Sequence, residues 1–418
     1  MTTDRKFDVL IVGAGMVGAT AACLLARSGF SVAILEAREP QVFDSTKAVG
    51  LRVSAFSPGA QAILTEAGAW RQIEQQRHRP YRRMRVEDRD ESVVIAFSAP
   101  EFGLERLGTI IENPLVQWSL WQTLQAMGGV EIICPDQLEA LEYENDKPVA
   151  RLRSGSSIHC RLLVGADGAN SKVRKMLGID QDHWEYGQQG IVAVIATSKP
   201  NPGIAWQRFT EGGPLAFLPL PEGASSIVWS RPAAEARRLL ELDDLTFCAE
   251  LEQAAAGEKQ AWPGTICACG PRAAFPLTMQ LSHCYAGARA VLIGDAAHVV
   301  HPLAGQGVNL GLLDAAGLAE VLVEARSHQA DISSEKTLRK FARRRRSEVE
   351  VMAHGIHGIR GLFMPEVLAP LRRFGLGLVA RSWIAKEAFI KRAAGKNRNA
   401  PALARGVALT DLLRAPSS

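Results

Sequence analysis

Three glycines near the start of the chain have the spacing that a nucleotide phosphate requires. Gly13, Gly15 and Gly18 form the pattern G-x-G-x-x-G between an apolar run over residues 7–12 and a helical pattern over residues 17–28. Gly13 permits a tight turn, Gly15 lets the backbone approach a pyrophosphate, and Gly18 allows close helix packing. The free N–H groups and the dipole of the helix N-terminus then favour an anion.

An acidic residue completes this first motif. Glu36 directly follows the next apolar run, Val32–Leu35, where its carboxylate can accept hydrogen bonds from ribose hydroxyls. This order of elements, a strand, a turn, a helix and a second strand that ends at an acidic residue, predicts a dinucleotide site. They do not distinguish NAD from FAD.

A second motif lies much further along the chain and favours FAD. Asp295 ends the apolar run over residues 290–293, and Gly305, Gly307 and Gly311 open the helical pattern that follows. A carboxylate at this point can bind a ribityl chain. The helix N-terminus can face the flavin pyrimidine edge, which gains negative charge on reduction. The alternative is that Asp295 is only a turn residue that caps a helix.

A third motif stands between the other two. Residues 165–171 read G-A-D-G-A-N-S, with Asp167 inside the motif and Arg174 one turn later. Aspartate and glycine also make an ordinary turn from a strand to a helix. The position between two cofactor motifs favours a role beside the cofactor.

The pattern of apolar residues predicts the elements that position these motifs. The opening strand, helix and strand indicate a parallel sheet with helices on both faces. Alternation between residues 81 and 97, and again between 190 and 229, indicates antiparallel strands. The fold class is therefore α/β, with a discontinuous Rossmann-like FAD-binding domain, an inserted antiparallel β-sheet substrate domain and a helical C-terminal region. We predict the FAD-binding domain in residues 1–75, 100–185 and 268–345, the substrate domain in 76–99 and 186–267, and the helical region in 346–418.

Composition and charge limit the possible functions further. The chain has 418 residues, of which 47% are hydrophobic and 22% charged, as in an ordinary globular protein. The seven cysteines are an odd number without zinc-site spacing, which predicts reduced, buried thiols and no metal. From Lys336 onward there are 18 Lys and Arg against 5 Asp and Glu, a local charge of +13 within a net +4.

That basic C-terminal region has three interpretations. Arg343 to Arg346 can form a solvated helix face, or the apolar residues among the cations can contact an anionic membrane surface, or the region can contact partner proteins. Nothing suggests a base-reading module, so we expect no nucleic acid partner. We expect a cytoplasmic protein, at most peripheral to the inner face of the membrane, and an oligomer is possible. The apolar residues in question are Ile359, Leu362, Phe363, Val367, Leu371 and Phe374.

The three motifs, in this order and spacing, resemble the aromatic flavoprotein hydroxylases. The segment over residues 294–311, G-D-A-A-H-V-V-H-P-L-A-G-Q-G-V-N-L-G, resembles the signature of the FAD-dependent hydroxylases of ubiquinone biosynthesis. Residues 111–113 and 216–220 and the helical tail share the likeness, which covers nearly the whole chain. Within that family the chain resembles the 2-polyprenylphenol hydroxylases acting at ring carbon 5, although residues 78–83 resemble a sister enzyme.

The resemblance assigns expected roles to individual residues. The ADP half of FAD is expected at the first motif, the ribityl diphosphate at Asp295, and the isoalloxazine beside the start of the following helix. Asp167 is expected to support both the flavin and a passing nicotinamide. The cofactor residues implied are Gly13, Gly15, Gly18, Glu36, Arg52, Asn113, Asp167, Asp295, Gly307, Val308 and Asn309.

The same resemblance implies a reaction. NADPH or NADH, as a transient reductant without a second glycine fingerprint, would reduce FAD, and O₂ would then form a flavin C4a-hydroperoxide that oxygenates a polyprenylated phenol. The segment expected beside the reacting atoms contains His301, Pro302, Gly305 and Gln306. His301 is a candidate general base, although a histidine in such a turn is more often only packed and hydrogen-bonded. Tyr186 and Tyr285 are equally open candidates.

Two other functions remain open on the sequence. One is a flavin hydroxylase of soluble aromatic compounds, such as a salicylate-type substrate. The other is a non-catalytic FAD-binding scaffold, in contact with other ubiquinone-biosynthesis proteins. Glycines and Asp295 predict that a cofactor binds, and they do not by themselves predict turnover.

Overall fold

The computed structural model describes residues 5–88, 94–256, 264–300, 307–363 and 382–412. The strands in chain order are β1 (Arg5–Val12), β2 (Val32–Leu35), β3 (Val53–Phe56), β4 (Arg79–Tyr81), β5 (Arg83–Glu87), β6 (Val94–Ser98), β7 (Gly108–Glu112), β8 (Val130–Ile133), β9 (Leu138–Glu144), β10 (Lys147–Leu152), β11 (Ser157–Gly165), β12 (Gln181–Thr197), β13 (Ile204–Thr210), β14 (Gly213–Pro219), β15 (Ser225–Pro232), β16 (Ile266–Ser282), β17 (Ala286–Gly287), β18 (Ala290–Leu292) and β19 (His298–Val299).

The helices surround these strands. In chain order they are α1 (Met16–Arg27), α2 (Pro58–Ala67), α3 (Trp70–Glu74), α4 (Asn113–Ala126), α5 (Lys172–Met176), α6 (Ala233–Glu241), α7 (Asp244–Ala255), α8 (Gly307–Ser327), α9 (Glu335–Phe363), α10 (Trp383–Ala393) and α11 (Leu409–Leu412). The predicted fold class, including a helical C-terminal region, is confirmed.

The first sheet brings the three sequence motifs to one edge. Its core runs β17-β18-β11-β1-β2-β8, and β1 pairs in parallel with both β11 and β2. Val12 is in register with Gly165, and Gly165 with Leu292. Because parallel strands that end together present their carboxyl ends at the same edge, the loops after β1, β11 and β18 lie side by side.

Helices cover this sheet because its strands are apolar on both faces. Val9 and Ile11 of β1 pack with α1, α4 and α8 in one core, whereas Leu10 faces a second core that includes Val349 of α9. All of these residues are buried. Continuous apolar runs such as residues 7–12 therefore read correctly as strands buried on both sides.

The second sheet is antiparallel apart from one pairing. Its order is β19-β16-β12-β15-β14-β13-β5-β6, with β5 parallel to β13. One face, including Trp206 and Phe217, packs against α6 and α7, which the sequence analysis does not predict. The alternate residues point to the opposite face and towards the first sheet. This sheet therefore forms one wall of the space between the two sheets.

Three sequence predictions need correction or completion. A three-stranded sheet of β3, β7 and β4 was not predicted. The proposed boundary at residue 268 falls inside β16, which pairs with β12 along its length, so we propose to place that boundary after Ser282. The cysteines are all free, but the prediction that they are buried is wrong for Cys267 and Cys284, which are exposed.

Among the described residues no helix is long and apolar enough to cross a membrane. The sequence from Leu338 to Gly395 predicts helices broken at Pro365 and Gly375, and both of these residues lie outside the described ones.

Candidate active site

A cavity of about 600 Å³ lies between the edge of the first sheet and the open face of the second. One side is lined by the loops that carry the sequence motifs, and the other by side chains of the second sheet and α10. The motif side includes Gly15, Arg52, Asn113, Gly168, Asp295 and Gly307, and the sheet side includes Tyr81, Met84, Gln207, Ala216, Val228 and Phe389.

The turn after β1 has the geometry expected of a phosphate-binding loop. Gly13 has a φ of +102°, a left-handed conformation that side-chain-bearing residues rarely adopt. A Cβ on Gly18 would overlap the Gly13 carbonyl oxygen, so α1 can approach the turn only with glycine there. A Cβ on Gly15 would meet nothing within 4 Å. The space beside Gly15 is therefore open, and it faces the N-terminus of α1.

Glu36 is fixed at the end of β2 by the backbone around it. Its Oε2 accepts a hydrogen bond from the Ala14 N–H at 2.6 Å, and its Oε1 accepts from the Ala37 N–H at 2.8 Å. Oε1 also accepts from the Arg38 N–H at 3.2 Å, so of the roughly four lone-pair sites of the carboxylate one on Oε2 remains for a further donor. A ribose hydroxyl fits that capacity.

Arg52 and Asn113 come together although 61 positions separate them in the sequence numbering. The Asn113 N–H donates to the Arg52 carbonyl at 2.9 Å, and both side chains line the cavity. The Asn113 Oδ1 is buried, and no group in the described part of the chain forms a hydrogen bond with it. A buried acceptor without a partner is costly, so this amide is suited to a ligand donor.

An ion pair holds the loop that presents Arg52. Arg77 donates from Nε to Glu112 Oε1 at 2.6 Å and also donates to the carbonyls of Ser45, Lys47 and Ala48. Glu112 Oε2 in turn accepts from the Gly50 N–H at 2.8 Å. The pair therefore ties the residue before Asn113 to the segment that leads into Arg52. Neither member was singled out in the sequence.

Asp295 carries its charge in an unfavourable place. It follows β18 within a protein-lined cavity, and its side chain is exposed to the open space there. Desolvation raises the pKa of the Asp295 carboxyl, and the nearby His298 and Arg52 partly oppose that rise. Hydroxyl donors of a ribityl chain would stabilise the carboxylate in place of the lost water.

A buried network beneath Asp295 holds its loop. Asp314 of α8 accepts from the Gly294 N–H at 2.9 Å, contacts His298 Nε2 at 2.6 Å and accepts from Arg345 Nε at 2.7 Å. Asp314, His298 and Arg345 are each at most 3% exposed. Burial alone would raise the pKa of Asp314, but His298 and Arg345 outweigh it and hold that pKa below its ordinary value. Arg345 therefore does not belong to a solvated helix face, which was one of the three interpretations of the basic region that includes Arg343 to Arg346.

Two predicted cofactor residues have side chains engaged elsewhere. The Asp167 carboxylate accepts from Ser171 Oγ at 2.6 Å and from the Lys172 N–H at 2.7 Å, and so caps α5. Asn309 is buried and bonds both the Ser57 N–H and the Ala55 carbonyl. In each case the neighbours, not the predicted side chain, line the cavity: Ala166, Gly168, Gly307 and Val308.

The predicted catalytic segment cannot be placed. His301, Pro302, Gly305 and Gln306 lie outside the described residues. The other candidate bases do not line the cavity: Tyr285 is buried against His298, and the Tyr186 hydroxyl lies 3.2 Å from His357 Nδ1. Proton transfer is therefore not assigned to a side chain.

The sheet side of the cavity carries no charged residue among those described, is mostly apolar and has a floor of small residues. Ala205 and Ala216 leave space that larger residues would fill, and Val192 and Val228 continue the same face. Tyr81 closes one side, and burial raises the pKa of its hydroxyl to about 12, so the group stays protonated at neutral pH. The sequence analysis predicts an antiparallel substrate sheet over this region, but apart from the resemblance of residues 216–220 it singles out no residue of this wall.

The described residues fit FAD. The open space at Gly15, the free capacity of Glu36, the unpartnered Asn113 oxygen and the desolvated Asp295 all accept parts of one dinucleotide that carries a ribityl chain. Together with the two-sheet fold, they define a flavoprotein of the aromatic hydroxylase class.

Comparisons with known proteins agree with this class. A family model described as a FAD binding domain matches residues 6–353. The structure is similar to p-nitrophenol 4-monooxygenase PnpA from Pseudomonas putida DLL-E4, with a TM-score of 0.75, 18% identity, and coverage of 94% of this chain and 100% of that one. It is also similar to the flavin-dependent monooxygenase PieE, with a TM-score of 0.66, 18% identity, and coverage of 94% and 71%. These structures support the fold.

Relatives in sequence identify the family. The chain is 35% identical to 3-demethoxyubiquinol 3-hydroxylase of Escherichia coli, covering 94% of this chain and 100% of the relative. It is 34% identical to ubiquinone hydroxylase UbiL of Rhodospirillum rubrum, with coverage of 98% and 95%. It is 33% identical to the mitochondrial ubiquinone biosynthesis monooxygenase COQ6 of Danio rerio, with coverage of 89% and 86%. The chain belongs to the FAD-dependent hydroxylases of ubiquinone biosynthesis.

Proposed function

We propose that this enzyme hydroxylates the aromatic ring of a polyprenylated phenol. The observation that carries the proposal is the distribution of charge in the cavity. Among the described lining residues only Arg52 and Asp295 are charged, and both lie on the cofactor side. The sheet side therefore suits a neutral, lipophilic ring, because a carboxylate-bearing aromatic would lose its hydration there without gaining a cation.

The residues of the chain have three tasks in this reaction. When bound, FAD supplies the reductive activation of O₂, with NADPH or NADH as the transient reductant. The loops after β1, β11 and β18 hold it against the cavity. The wall of Ala205, Ala216 and Val228 admits the ring and excludes water, which protects the activated oxygen from loss as H₂O₂.

The prenyl tail is proposed to leave the cavity past α10. Phe389 lines the cavity and stacks on Phe97 with ring centroids 5.6 Å apart, and Trp383 stacks on Phe102 at 5.0 Å. Trp383, Phe389 and Ile384 are 51%, 44% and 78% exposed. An apolar rim that continues from the cavity, within a basic C-terminal region, suits an anionic lipid surface that holds the substrate.

A quinone-lipid profile by mass spectrometry tests the proposal. Aerobic cells that lack the gene should accumulate a polyprenylphenol with one ring oxygen missing and should contain less ubiquinone. Wild-type protein should restore the profile, whereas Ala216→Trp should not, because the indole fills the ring space. The matched control is that A216W still retains FAD. The accumulated lipid also distinguishes ring carbon 5, expected from the resemblance, from carbon 3, which the name of the Escherichia coli relative gives for its own substrate.

The competing function predicts a different result. A hydroxylase of soluble aromatics should show NADPH oxidation that water-soluble phenols such as salicylate stimulate strongly, with product formed. A normal ubiquinone level together with such stimulation would overturn the proposal. Retention of FAD without any oxygenated product would instead favour the scaffold.

A further inference from the structure

One amide side chain lies among the apolar residues of strands β5, β14 and β15 in the wall of the cavity. Gln207 of β13 is 7% exposed and lines the cavity. Its strand neighbours Trp206 and Arg208 point to the opposite face, where Trp206 joins the core against α7 and Arg208 donates to the Ala255 carbonyl. The alternation of the strand therefore turns the Gln207 amide towards the cavity.

The surroundings of Gln207 supply it with no hydrogen bond. Its register partners across the sheet are Val86 of β5 and Ala216 of β14, and Ala216 is followed by Val228 of β15. None of these side chains is polar. Within the described part of the chain, the Gln207 side chain forms no hydrogen bond. In an empty cavity, water serves this amide; when an apolar ring displaces the water, only the ligand can replace it.

The chemistry of the amide defines what the ligand must offer. A glutamine side chain has two donor hydrogens and an acceptor oxygen, and it carries no charge at any pH of interest. It suits a neutral hydroxyl or ether oxygen on the ring and does not compensate the charge of a carboxylate. An oxygen-free ring would leave the amide desolvated without a partner, and sites of this kind discriminate strongly against such analogues.

We propose that Gln207 is a specificity-determining residue that hydrogen-bonds an oxygen substituent of the substrate ring. This inference rests on the proposed function, since it assigns a contact to the same ring. Bound in this way, the ring has one fixed edge at β13, and the ring carbon presented to the cofactor side follows from that edge. Loss of the contact should therefore weaken binding and also reduce the fraction of reducing equivalents that hydroxylate the ring.

The test compares two ring probes on FAD-loaded protein. The probes are 2-methoxyphenol with one isoprene unit, and the matched prenylbenzene without ring oxygens. Binding is followed by the change in flavin absorbance under non-turnover conditions. Wild type should bind the oxygenated probe at least about tenfold more tightly. Gln207→Leu, which is similar in size, should bind both probes within about twofold, and turnover with the oxygenated probe should release more H₂O₂ per NADPH oxidised.

Gln188→Leu is the matched control. Gln188 is 6% exposed in β12 of the same sheet, but its amide donates to the Gly212 carbonyl and does not line the cavity. Q188L should keep the wild-type preference between probes. A tenfold preference that survives in Q207L would overturn the role of Gln207 and leave the proposed function intact. If wild type binds neither probe, the proposed substrate class itself fails.

Discussion

Gly15 and Gly18 are three residues apart and meet different constraints. A Cβ on Gly18 would overlap the Gly13 carbonyl, whereas the space beside Gly15 is open and suited to a diphosphate. We expect Gly18→Ala to lower both folding stability and FAD content. Gly15→Ala should leave the urea midpoint of the apoprotein nearly unchanged and weaken FAD binding about tenfold or more, because a methyl group would occupy the diphosphate position. Flavin fluorescence titration measures the second effect. Equal FAD affinity in G15A and wild type would show that the diphosphate of FAD does not bind beside Gly15.

Asp295 should show a conflict between stability and cofactor binding. Because desolvation raises its pKa in the folded protein, ionisation opposes folding, and stability falls as pH rises from the ordinary pKa of 3.8 through the folded-state value. We expect Asp295→Asn to raise the thermal midpoint of the apoprotein at pH 7 and to lower FAD affinity. The gain in midpoint should shrink as pH falls towards 4. A gain that does not depend on pH would contradict the electrostatic cause.

Sequence reasoning predicts the positions that local spacing determines and does not predict the orientation of residues that depends on contacts distant in the chain. Gly13, Glu36 and Asp295 were predictable because local spacing alone places them at strand ends. Gln207 and Asp314 were not, because a polar residue in an alternating strand or an apolar helix gives no sign of what it faces. Only pairing across the sheet orients Gln207, and only the packing of α9 on α8 brings Arg345 to Asp314.

At the scale of elements, the ion pair between α8 and α9 holds the loop that carries Asp295. We expect Arg345→Gln to destabilise the apoprotein by about 3–5 kcal/mol in urea unfolding, because the Asp314 carboxylate would remain buried with one partner lost. Arg344→Gln is the control; it is exposed on the same helix and should change stability by less than about 0.5 kcal/mol.

The pH dependence of this pair has a definite sign. The pKa of Asp314 is held below 3.8, so its contribution to stability is present above that value and is lost as pH falls through the folded-state pKa. The stability difference between wild type and R345Q should therefore narrow in acid. Similar unfolding midpoints for R345Q and R344Q near neutral pH would show that the pair does not stabilise the fold.

Elements with a clear period were predictable, and elements that depend on a partner were not. The runs of β1, β2 and β18 and the helical pattern of α8 were recognised from local sequence. The 17-residue strand β16 contains Gly270, Pro271 and Pro276 and resembles a series of turns, yet its pairing with β12 keeps it extended. The short strands β3, β4 and β7 form a sheet only with one another.

At the scale of the whole molecule, the apolar rim on α10, formed by Trp383, Ile384 and Phe389, is expected to bind the lipid surface that holds the substrate. We expect the double variant Trp383→Ser, Ile384→Ser to bind vesicles of phosphatidylethanolamine and phosphatidylglycerol at least about tenfold more weakly in a sedimentation assay. Full burial of even one such side chain contributes about 1.5–3 kcal/mol, and about 1.4 kcal/mol corresponds to a factor of ten. Leu245→Ser is the control, since Leu245 is 85% exposed on α7, away from the cavity. Sedimentation equal to wild type would exclude the rim as the contact.

The same vesicles separate the apolar from the basic contribution. Charge reversal at Arg343, Arg344 and Arg346 should weaken sedimentation, and the effect should fade at high salt because exposed charges are screened. Arg345 must be left intact, since its loss would unfold the support of Asp295 and mimic a binding defect. If the charge-reversed variant binds vesicles as well as wild type at low salt, these arginines do not contact the membrane and form only a solvated helix face.

The strands that form the cofactor edge of the first sheet are far apart in the chain and are therefore synthesised at different times. The edge that receives the cofactor joins Val12 and Gly165 to Leu292, so the last strand of the cradle is translated long after the first. At about 5–20 residues per second, roughly 15 seconds or more separate the two events on the ribosome. Between the synthesis of β11 and that of β18, the edge of β11 that pairs with β18 lacks this partner strand. A cofactor that contacts both Gly15 and Asp295 can therefore bind only after residue 295 has been translated.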